Sequence, residues 1–509
     1  MTPPPPAPPT AHGLAKPHIL AIDQGTTGTT ALIINERLQV LGRATREFEQ
    51  RFPQPGWVEH DPRDILRSVE EATRAALDDA GIDPHTLAAI GVTNQRETVA
   101  LWDRATGEPL HNAIVWQCRR TTDACARLKA AGHEPRVSAL TGLRLDPYFS
   151  GTKMSWLLDH VEGARARAEA GELAFGTIDT LLAWHITGGA AHVTDASNAS
   201  RTLLMDLKAL RWSQELLDLL RIPAAALPRI CTNSEVYGHT KGFAGLPDGI
   251  PLAGLIGDQQ GALFGQACFE PGEAKCTYGT GAFLLMNTGA EPKESARGLL
   301  TTVAWRLGGA TTYALEGSAF IAGAAVQWLR DGLGVIQRAA DIEPLARQAE
   351  SSDGVYFVPA LTGLGAPHWD PEARGLLCGL TRGTRLPHIA RATLEGIAHQ
   401  NAELLEAMTL DSAQPLAALK VDGGAAANDL LMQTQADLLG CDLVRPRMLE
   451  TTALGSGLLA GLAVGVWGDL RAVRESWEAE ATFRPAAPAA RVQAMKEGWR
   501  AAVRRARLP

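Results

Sequence analysis

Residue types suited to phosphate binding are concentrated in one short segment, Asp23-Gln24-Gly25-Thr26-Thr27-Gly28-Thr29-Thr30. The segment lies between two apolar runs, 19–22 and 31–34, and this pattern predicts a β-hairpin with a tight tip. Glycines let backbone N–H groups approach an anion, threonines add hydroxyl donors, and an aspartate at the end of a strand suits Mg²⁺ or its bound waters. The segment indicates either a phosphate-binding hairpin or an ordinary polar turn.

Two further glycine turns follow later in the chain. Tyr278-Gly279-Thr280-Gly281 precedes the apolar run 282–286, and two such hairpins in one chain indicate two similar domains that share one nucleotide. Asp422-Gly423-Gly424 follows the strand-like run 419–421 and precedes the helix-like segment 425–439. Backbone N–H groups at such a junction suit the phosphates or ribose of a nucleotide. The chain contains no G-x-x-x-x-G-K-[ST] and no G-x-G-x-x-G motif, which disfavours a Walker-type fold and a Rossmann dehydrogenase.

Asp258 is a candidate general base, because it stands where the predicted strand 251–256 ends and a helix of small residues begins. Active-site groups often lie at the carboxyl ends of strands in α/β folds, and a carboxylate there can accept the proton of a hydroxyl that attacks phosphorus. Aspartate is also favoured at the N-cap of a helix. The position alone leaves both interpretations open.

Arg96-Glu97 is a second polar pair, placed in the predicted loop 94–97 between two strands. A guanidinium and a carboxylate side by side suit a polyol with neighbouring hydroxyls, while the alternative is a surface ion pair. Tyr148 offers a phenol to another hydroxyl. Trp116 and Phe283 offer apolar walls for a carbon skeleton, although residues of these three types are more often part of a core.

Composition places these motifs in a large α/β protein. The 509 residues suggest two or more domains, and a hydrophobic content of 45% is enough for sizeable cores. Strand-like runs alternate with helical patterns in both halves, which predicts an α/β fold. The net charge of −8 argues against a nucleic-acid partner. The seven cysteines include no C-x-x-C pair, so the sequence predicts neither a disulfide framework nor a zinc site. This cysteine pattern indicates a protein of the reducing cytoplasm.

The chain also shows where its domains are expected to divide. The first residues are rich in proline and lack an apolar core, which predicts a disordered tail over 1–17 rather than a signal peptide. Pro271-Gly272 is the best turn for a boundary. We therefore predict an N-terminal domain over 18–265 and a C-terminal domain over 266–509.

One segment is ambiguous. Residues 451–468 carry no charge and have glycines at 457, 461 and 465, a spacing found in membrane helix dimers. Its length is at the lower limit for spanning a bilayer, and it contains few large apolar residues. Because nothing else in the chain suggests a membrane, we predict a buried helix whose small face packs tightly on a sheet or a neighbouring helix.

Longer motifs resemble a known family. Four segments closely resemble the glycerol kinases, a branch of the carbohydrate kinases with the FGGY signatures: 91–98, 112–120, 257–260 and 422–424. The segments 148–160 and 375–395 are similar to the two signatures of the wider family. The resemblance extends from about residue 19 to about residue 500. It implies an α/β fold of two actin-like ATPase (ribonuclease H-like) domains with a cleft between them.

The resemblance also implies an activity, the transfer of the ATP γ-phosphate to glycerol to give sn-glycerol 3-phosphate and ADP in glycerol catabolism. Asp258 would be the general base on the terminal hydroxyl, and Trp116 and Phe283 would pack on the carbon backbone. The three hydroxyls of glycerol would be held by a polar set: Arg96, Glu97, Tyr148, Asp258 and Gln259.

ATP and Mg²⁺ are implied in the same way. The phosphates would contact the two hairpins through four residues: Thr26, Thr27, Gly28 and Thr280. The rest of the nucleotide pocket would be lined by five others: Gly323, Gln327, Gly424, Ala425 and Asn428. Asp23 and Asp258 would hold Mg²⁺, mostly through water. Relatives form homodimers and tetramers, so a homodimer or homotetramer is implied, without a nucleic-acid or membrane partner.

The chain departs from the family pattern in places that concern regulation and phosphate binding. The first hairpin usually carries an arginine where this chain has Thr30, so a fixed cation is lost. Weaker nucleotide binding, or another cation such as Lys275, is then expected. The loop 238–250 has no arginine and the segment 485–491 has no obvious docking motif. These gaps put feedback by fructose 1,6-bisphosphate and control by a sugar-transport regulator in doubt.

Two alternatives to the glycerol kinase hypothesis stay open from the sequence. One is a kinase for another polyol or sugar, such as erythritol or xylulose, although Arg96-Glu97 with Trp116 and Tyr148 favours a three-carbon substrate. The other is a catalytically silent nucleotide-binding or scaffold protein. The presence of both Asp23 and Asp258 argues against the silent protein.

Overall fold

The structure, a computed structural model, describes residues 17–370 and 372–508. The predicted proline-rich tail therefore lies outside the described residues, except for Pro17. The chain divides into two compact units. The first unit contains the described residues up to Ala267 together with Thr302–Tyr313 and Glu450–Trp477. The second unit contains Cys268–Thr301, Ala314–Leu449 and the described residues from Glu478 onwards.

Strands and helices alternate along both units, as the sequence predicts for an α/β fold. The strands up to Ala267 are β1 (His18–Gln24), β2 (Gly28–Ile34), β3 (Val40–Glu47), β4 (Glu59–His60), β5 (Leu87–Asn94), β6 (Val99–Asp103), β7 (Ala113–Ile114), β8 (Leu173–Thr177), β9 (Val193–Asp195), β10 (Met205–Asp206), β11 (Arg211–Trp212), β12 (Arg229–Cys231), β13 (Ser234–His239) and β14 (Pro251–Gly257). The helices of the same stretch are α1 (Pro62–Ala80), α2 (Thr122–Ala130), α3 (Glu134–Thr141), α4 (Ser150–His160), α5 (Ala164–Glu169), α6 (Ile178–Ile186), α7 (Ala196–Ala199), α8 (Gln214–Leu220) and α9 (Asp258–Gly265).

The remaining elements follow in chain order. The strands are β15 (Glu273–Tyr278), β16 (Ala282–Gly289), β17 (Leu300–Leu307), β18 (Ala310–Ala319), β19 (Tyr356–Val358), β20 (Leu376–Cys378), β21 (Ala418–Asp422), β22 (Leu443–Pro446) and β23 (Ala479–Phe483). The helices are α10 (Gly323–Gln327), α11 (Ile342–Ala346), α12 (Leu386–Ser412), α13 (Asp429–Leu439), α14 (Thr451–Ala463), α15 (Leu470–Glu475) and α16 (Ala489–Ala506).

The central sheet of the first unit has the strand order β13-β14-β5-β1-β2-β3. The neighbours β1, β2 and β3 run antiparallel, whereas β5 is parallel to β1 and β14 is parallel to β5. The predicted hairpin is confirmed, because β1 pairs with β2 and the tip falls at residues 25–27. Parallel β1, β5 and β14 bring their carboxyl ends, and with them Asp23, Arg96 and Asp258, to one edge of the sheet.

The second unit repeats this arrangement in a sheet that also includes β17, most of which belongs to the first unit. Its sheet has the order β17-β18-β16-β15-β21-β22-β23, with β15 antiparallel to β16, and β15, β21 and β22 parallel to one another. Next to the parallel strands, each sheet ends in an edge strand, β13 in the first and β23 in the second. Each of these edge strands runs antiparallel to its neighbour. Six strands of the second sheet, β18-β16-β15-β21-β22-β23, repeat the order of the first sheet, and β17 is added beyond β18. Two sheets related in this way are what the expected actin-like fold requires, so the predicted fold class is confirmed.

Helix α1 shows how local sequence sets the element boundaries. The Asp61 side chain caps the helix by accepting the N–H of Arg63, Pro62 occupies its first turn, and Gly81 ends it at a φ of 62°. These residues set both ends of α1. A Cβ at Gly42 of strand β3 would collide with the backbone of Ala76 and Ala80, so this glycine lets α1 lie close to the sheet.

Helix α14 is the uncharged glycine-rich segment, and it packs on the sheet of the first unit. A Cβ at Gly91 or at Gly254 would collide with the carbonyl of Ser456, and Gly457 lies against Ala21. This confirms the prediction of a buried helix with a small packing face, and it explains why the chain returns to the first unit after residue 449. Among the described residues, no helix is long and apolar enough to cross a membrane.

Candidate active site

The Arg96-Glu97 turn joins β5 to β6 and is fixed to the first hairpin. The side-chain amide of Gln95 donates to the Gln24 side chain and to the carbonyl of Gly25, both at 3.1 Å. The N–H of Thr98 donates to the Arg96 carbonyl over 2.7 Å, and Glu97 takes a φ of 61°. This left-handed conformation is strained for a residue with a side chain, and such strain is often found at functional sites.

The Arg96 guanidinium gathers the predicted substrate residues. Its Nε lies 3.1 Å from Asp258 Oδ1 and 3.8 Å from Glu97 Oε1, and its Nη2 donates to the Tyr148 hydroxyl over 3.4 Å. Its Nη1 donates to Oε1 of Gln260 over 3.2 Å. The Arg96 and Glu97 side chains are each only 2% exposed, so the surface ion pair considered from the sequence is wrong.

Asp258 is the first residue of α9, and Gly257 rather than Asp258 occupies the N-cap position. The capping alternative for Asp258 is therefore wrong in this structure, although its Oδ1 accepts the N–H of Gln259 over 2.7 Å. The Asp258 side chain is 28% exposed beside the buried Arg96. A carboxylate that is oriented by a guanidinium and still open to solvent is suited to accept a proton from a bound hydroxyl.

Aromatic side chains line the same region. The rings of Trp116 and Tyr148 lie edge to face with centroids 5.6 Å apart, and both residues are half-buried. The indole Nε1 of Trp116 donates to the Thr26 hydroxyl over 2.9 Å. This hydrogen bond connects the predicted apolar wall to the predicted phosphate hairpin, so the first unit brings both sets of residues together.

The tip of the first hairpin, the predicted phosphate loop, is a tight turn. The N–H of Gly25 donates to the Gly28 carbonyl over 2.9 Å, and Thr27 is exposed. A Cβ at Gly28 would lie 2.8 Å from the Arg46 carbonyl, which explains the glycine. Thr30 pairs with Asp23 across β1 and β2, and its hydroxyl lies 3.0 Å from that of Thr45.

Three carboxylates interact around the predicted metal site. Burial, and then the nearby carboxylates of Asp258 and Glu450, raise the pKa of Asp23 to about 8. A cation would relieve this repulsion, and carboxylate oxygens are ligands that Mg²⁺ accepts, so the residues fit the ion. Among the described residues, no three His, Cys, Asp or Glu side chains form a metal cage. Binding of Mg²⁺ by Asp23 and Asp258 through water therefore stays a prediction.

In the second unit, the hairpin between β15 and β16 is joined to the start of α10. The carbonyl of Thr280 accepts the N–H groups of Ala322 and Ala324 at 2.8 and 3.0 Å, and the carbonyl of Gly279 accepts that of Gly323 at 3.0 Å. Thr280 itself is exposed. The predicted residues Thr280 and Gly323 therefore lie together, and their contact with a nucleotide stays a prediction.

The third glycine turn lies against the same hairpin. Gly423 has a φ of 86°, and a Cβ there would lie 2.5 Å from the Tyr278 carbonyl. Helix α13 begins at Asp429 rather than at the predicted residue 425, because 424–427 form a 3-10 turn and Asn428 caps the helix by accepting the Leu431 N–H over 2.9 Å. The Asn428 side chain therefore serves as the helix cap, whereas Gly424 is exposed.

Three remaining predicted residues are placed as follows. Gln327 is exposed at the end of α10, and Ala425 is half-buried in the 3-10 turn. Phe283 is half-buried on β16 of the second unit. The contact of Phe283 with a substrate stays a prediction.

Sequence reasoning missed residues behind the site. Arg201 is fully buried with its Nε 2.7 Å from Glu97 Oε1. Lys153 is also buried, and its Nζ donates to the carbonyls of Pro147, Tyr148 and Phe149 at 3.1, 2.5 and 3.0 Å. Burial lowers the pKa of Lys153 to about 7. The available signal was that Arg201 is the only charge in the otherwise neutral run 196–205.

Comparison with known families places this geometry in context. The N-terminal domain model of the FGGY family of carbohydrate kinases matches residues 18–265, and its C-terminal domain model matches residues 274–464. The chain belongs to the FGGY family of carbohydrate kinases. The family resemblance inferred from the sequence is therefore confirmed over most of the chain.

Similar proteins narrow the comparison within this family. A glycerol kinase of Myxococcus xanthus (strain DK1622) is 62% identical over 492 residues, covering 96% of this chain and 99% of the relative. A glycerol kinase of Aromatoleum aromaticum is 59% identical over 490 residues, covering 96% and 99%. The crystal structure of Plasmodium falciparum glycerol kinase with ADP aligns with a TM-score of 0.91 at 36% identity, over 97% of this chain and 98% of that one.

Proposed function

We propose that this chain is an ATP:glycerol 3-phosphotransferase, which converts glycerol and ATP to sn-glycerol 3-phosphate and ADP. The observation that carries the proposal is the buried Arg96 guanidinium, which lies against Asp258, Tyr148 and Glu97 at one end of the central sheet. A fixed guanidinium, two carboxylates and a phenol supply donors and acceptors for neighbouring hydroxyls. The high identity to glycerol kinases over nearly the whole chain supports the same substrate.

In this proposal Asp258 acts as the general base. Its carboxylate accepts the proton of the terminal glycerol hydroxyl while the hydroxyl oxygen bonds to the γ-phosphorus and the bond to the β-phosphate oxygen breaks. Arg96, Glu97, Tyr148 and Gln259 hold the hydroxyls and so orient the reacting oxygen. Trp116 and Phe283 cover the carbon skeleton.

Backbone and hydroxyl donors bind the nucleotide in this proposal. Thr26, Thr27 and Gly28 contribute the first phosphate loop and Thr280 the second, while Gly323, Gln327, Gly424, Ala425 and Asn428 line the remainder. Mg²⁺, held by Asp23 and Asp258 mostly through water, would neutralise charge on the phosphate oxygens. The seven free cysteines support the cytoplasmic location included in the proposal. A homodimer or homotetramer is also proposed, by likeness to the family.

A polyol panel tests the proposed function. Purified protein is assayed for ATP-dependent phosphorylation of glycerol, dihydroxyacetone, erythritol, xylitol and xylulose, with ADP release measured for each. We expect kcat/KM for glycerol to exceed that for the longer polyols by at least about fivefold, because one misplaced hydroxyl against buried polar groups costs about 1 kcal/mol or more. A preference that grows with chain length would favour another polyol kinase. No activity on any substrate would favour the silent nucleotide binder.

The Thr30→Arg variant tests the departure in the first hairpin. Thr30 lies opposite Asp23, so an arginine there places a guanidinium beside the proposed phosphate and metal groups. We expect the KM for ATP to fall by about tenfold, since hydrogen bonds to charged groups contribute about 1.5–3 kcal/mol. Thr30→Gln, which adds length without charge, serves as the control. A KM for ATP that fails to fall in Thr30→Arg would show that the missing cation does not limit nucleotide binding.

Lys275, the other candidate cation, is fully buried and donates to the Thr277 hydroxyl over 3.0 Å.

A further inference from the structure

Glu97 is an unusual substrate ligand, because its carboxylate is buried within the protein. Its side chain is 2% exposed and its backbone takes a left-handed conformation. A buried carboxylate is costly unless an opposite charge and hydrogen bonds compensate for the lost water. The partner that compensates it therefore also determines where its oxygens point.

Arg201 is the closer of the two guanidinium groups around that carboxylate. Its Nε donates to Glu97 Oε1 over 2.7 Å, whereas the Arg96 Nε is 3.8 Å from the same oxygen and lies nearer to Asp258. The Arg201 side chain is fully buried. A charge-assisted hydrogen bond of this length in a dry environment is strong and directional.

The backbone that carries Arg201 is tied to the strand that carries Glu97. Asn94, at the end of β5, and Asn198, in α7, exchange two side-chain hydrogen bonds of 3.1 and 2.9 Å. The carbonyl of Asn198 accepts the Arg201 N–H over 3.0 Å. Arg201 and the Arg96-Glu97 turn are therefore held at a fixed separation, so Arg201 acts as a rigid support rather than as a mobile surface charge.

The same guanidinium lies over the aromatic side of the site. The Cζ atom of Arg201 is 5.6 Å from the Tyr148 ring centroid and 5.2 Å from the Phe149 ring centroid. Cations within about 6 Å of an aromatic ring are attracted to its face. Lys153 holds the backbone of both residues through its hydrogen bonds to their carbonyls. Arg201 therefore restricts the Tyr148 ring as well as the Glu97 carboxylate.

We propose that Arg201 is a positioning residue for the acceptor alcohol, which fixes the Glu97 carboxylate and the Tyr148 ring in the orientation that binds vicinal hydroxyls. Arg201 makes no contact with the substrate in this role and works through the two residues in front of it. The inference rests on the proposed glycerol site. It adds that the specificity of this site for a small polyol depends on a residue behind the substrate ligands.

The test uses Arg201→Lys, which keeps the charge but loses the planar guanidinium, together with a cycle made of Arg201→Met, Glu97→Gln and the double variant Arg201→Met/Glu97→Gln. For Arg201→Lys we expect the KM for glycerol to rise by about 10–100-fold, the cost of a lost charge-assisted hydrogen bond, with the KM for ATP within about twofold of wild type. If Arg201 acts through Glu97, the double variant should bind glycerol far better than the product of the single effects predicts. The neutral pair also avoids an unpaired buried carboxylate, so the double variant keeps the test valid if the single variant folds poorly.

Arg120→Lys is the matched control. The side chain of Arg120, in the same unit, is fully buried 2.7 Å from Glu59 and stacks on Trp57 and Trp156 rather than on a predicted substrate residue. We expect its variant to lower the melting temperature while leaving the KM for glycerol unchanged. A KM for glycerol within twofold of wild type in Arg201→Lys, or effects that multiply in the double variant, would overturn the positioning role. Failure of the proposed function itself would instead appear as a wild-type enzyme that does not phosphorylate glycerol.

Discussion

Replacing Asp258 with asparagine is expected to lower kcat for glycerol phosphorylation by ~10²–10⁴-fold, the usual contribution of a positioned general base. The asparagine Oδ1 keeps an acceptor for the Gln259 N–H, which Asp258 binds over 2.7 Å. The variant therefore changes the capacity to take a proton with little change in the local backbone. The measurement is steady-state kinetics with both substrates varied.

The distribution of the effect between kcat and KM separates a base from a substrate ligand. A group that works only in the transition state lowers kcat and kcat/KM together, whereas loss of uniform binding raises KM alone. We expect the first pattern. Asp218→Asn, an exposed aspartate on α8, is the control and should turn over at the wild-type rate. Near-normal turnover in Asp258→Asn would remove Asp258 from the base role.

Local rules in the sequence predict the parts of the site that local structure determines. The first hairpin, the bounds of α1 and the position of Asp258 at the end of β14 follow from periodicity, capping and turn residues within short windows. Repetition of the hairpin signal at residues 278–281 was also enough to predict two similar units. These features need no knowledge of which distant segments meet.

What the sequence did not predict depends on contacts between distant residues. Glu97 and Arg201 are separated by 104 positions, and no spacing rule connects them. The burial of Arg96-Glu97 is a tertiary effect, so a pair whose sequence is compatible with a surface ion pair becomes a buried polar pair with side chains that are each 2% exposed. Helix α14 belongs to the first unit because its small residues pack closely against Gly91 and Gly254, which lie on strands far earlier in the chain.

Replacing Asp23 with asparagine is expected to abolish most activity while making the protein more stable. Burial and the carboxylates of Asp258 and Glu450 raise the pKa of Asp23 to about 8, so ionised Asp23 destabilises the metal-free fold. Asparagine removes that charge and also removes one proposed anchor of Mg²⁺. Functional sites commonly hold such destabilising groups, and removing them exchanges activity for stability.

The sign of the pH dependence follows from the raised pKa. Between the ordinary pKa of an aspartate, about 4, and about 8, the folded protein keeps a proton on Asp23 that the unfolded chain has released. The free energy of unfolding therefore falls as the pH rises through this window. The advantage of Asp23→Asn should be near zero at pH 4 and greatest at pH 8 and above, at roughly 1–2 °C in melting temperature for each kcal/mol of destabilisation removed, because the entropy of unfolding grows with chain length.

Thermal melts at several pH values, with EDTA and then with Mg²⁺-ADP, measure both consequences. In EDTA the variant should melt above wild type at pH 8 and together with it at pH 4. Mg²⁺-ADP should raise the melting temperature of wild type more than that of the variant, because a ligand that needs the carboxylate stabilises only the protein that has it. A wild-type-like response to Mg²⁺-ADP in Asp23→Asn would exclude Asp23 from the metal site. Equal melting temperatures in EDTA at pH 8 would show that the ionised Asp23 carboxylate does not destabilise the folded protein.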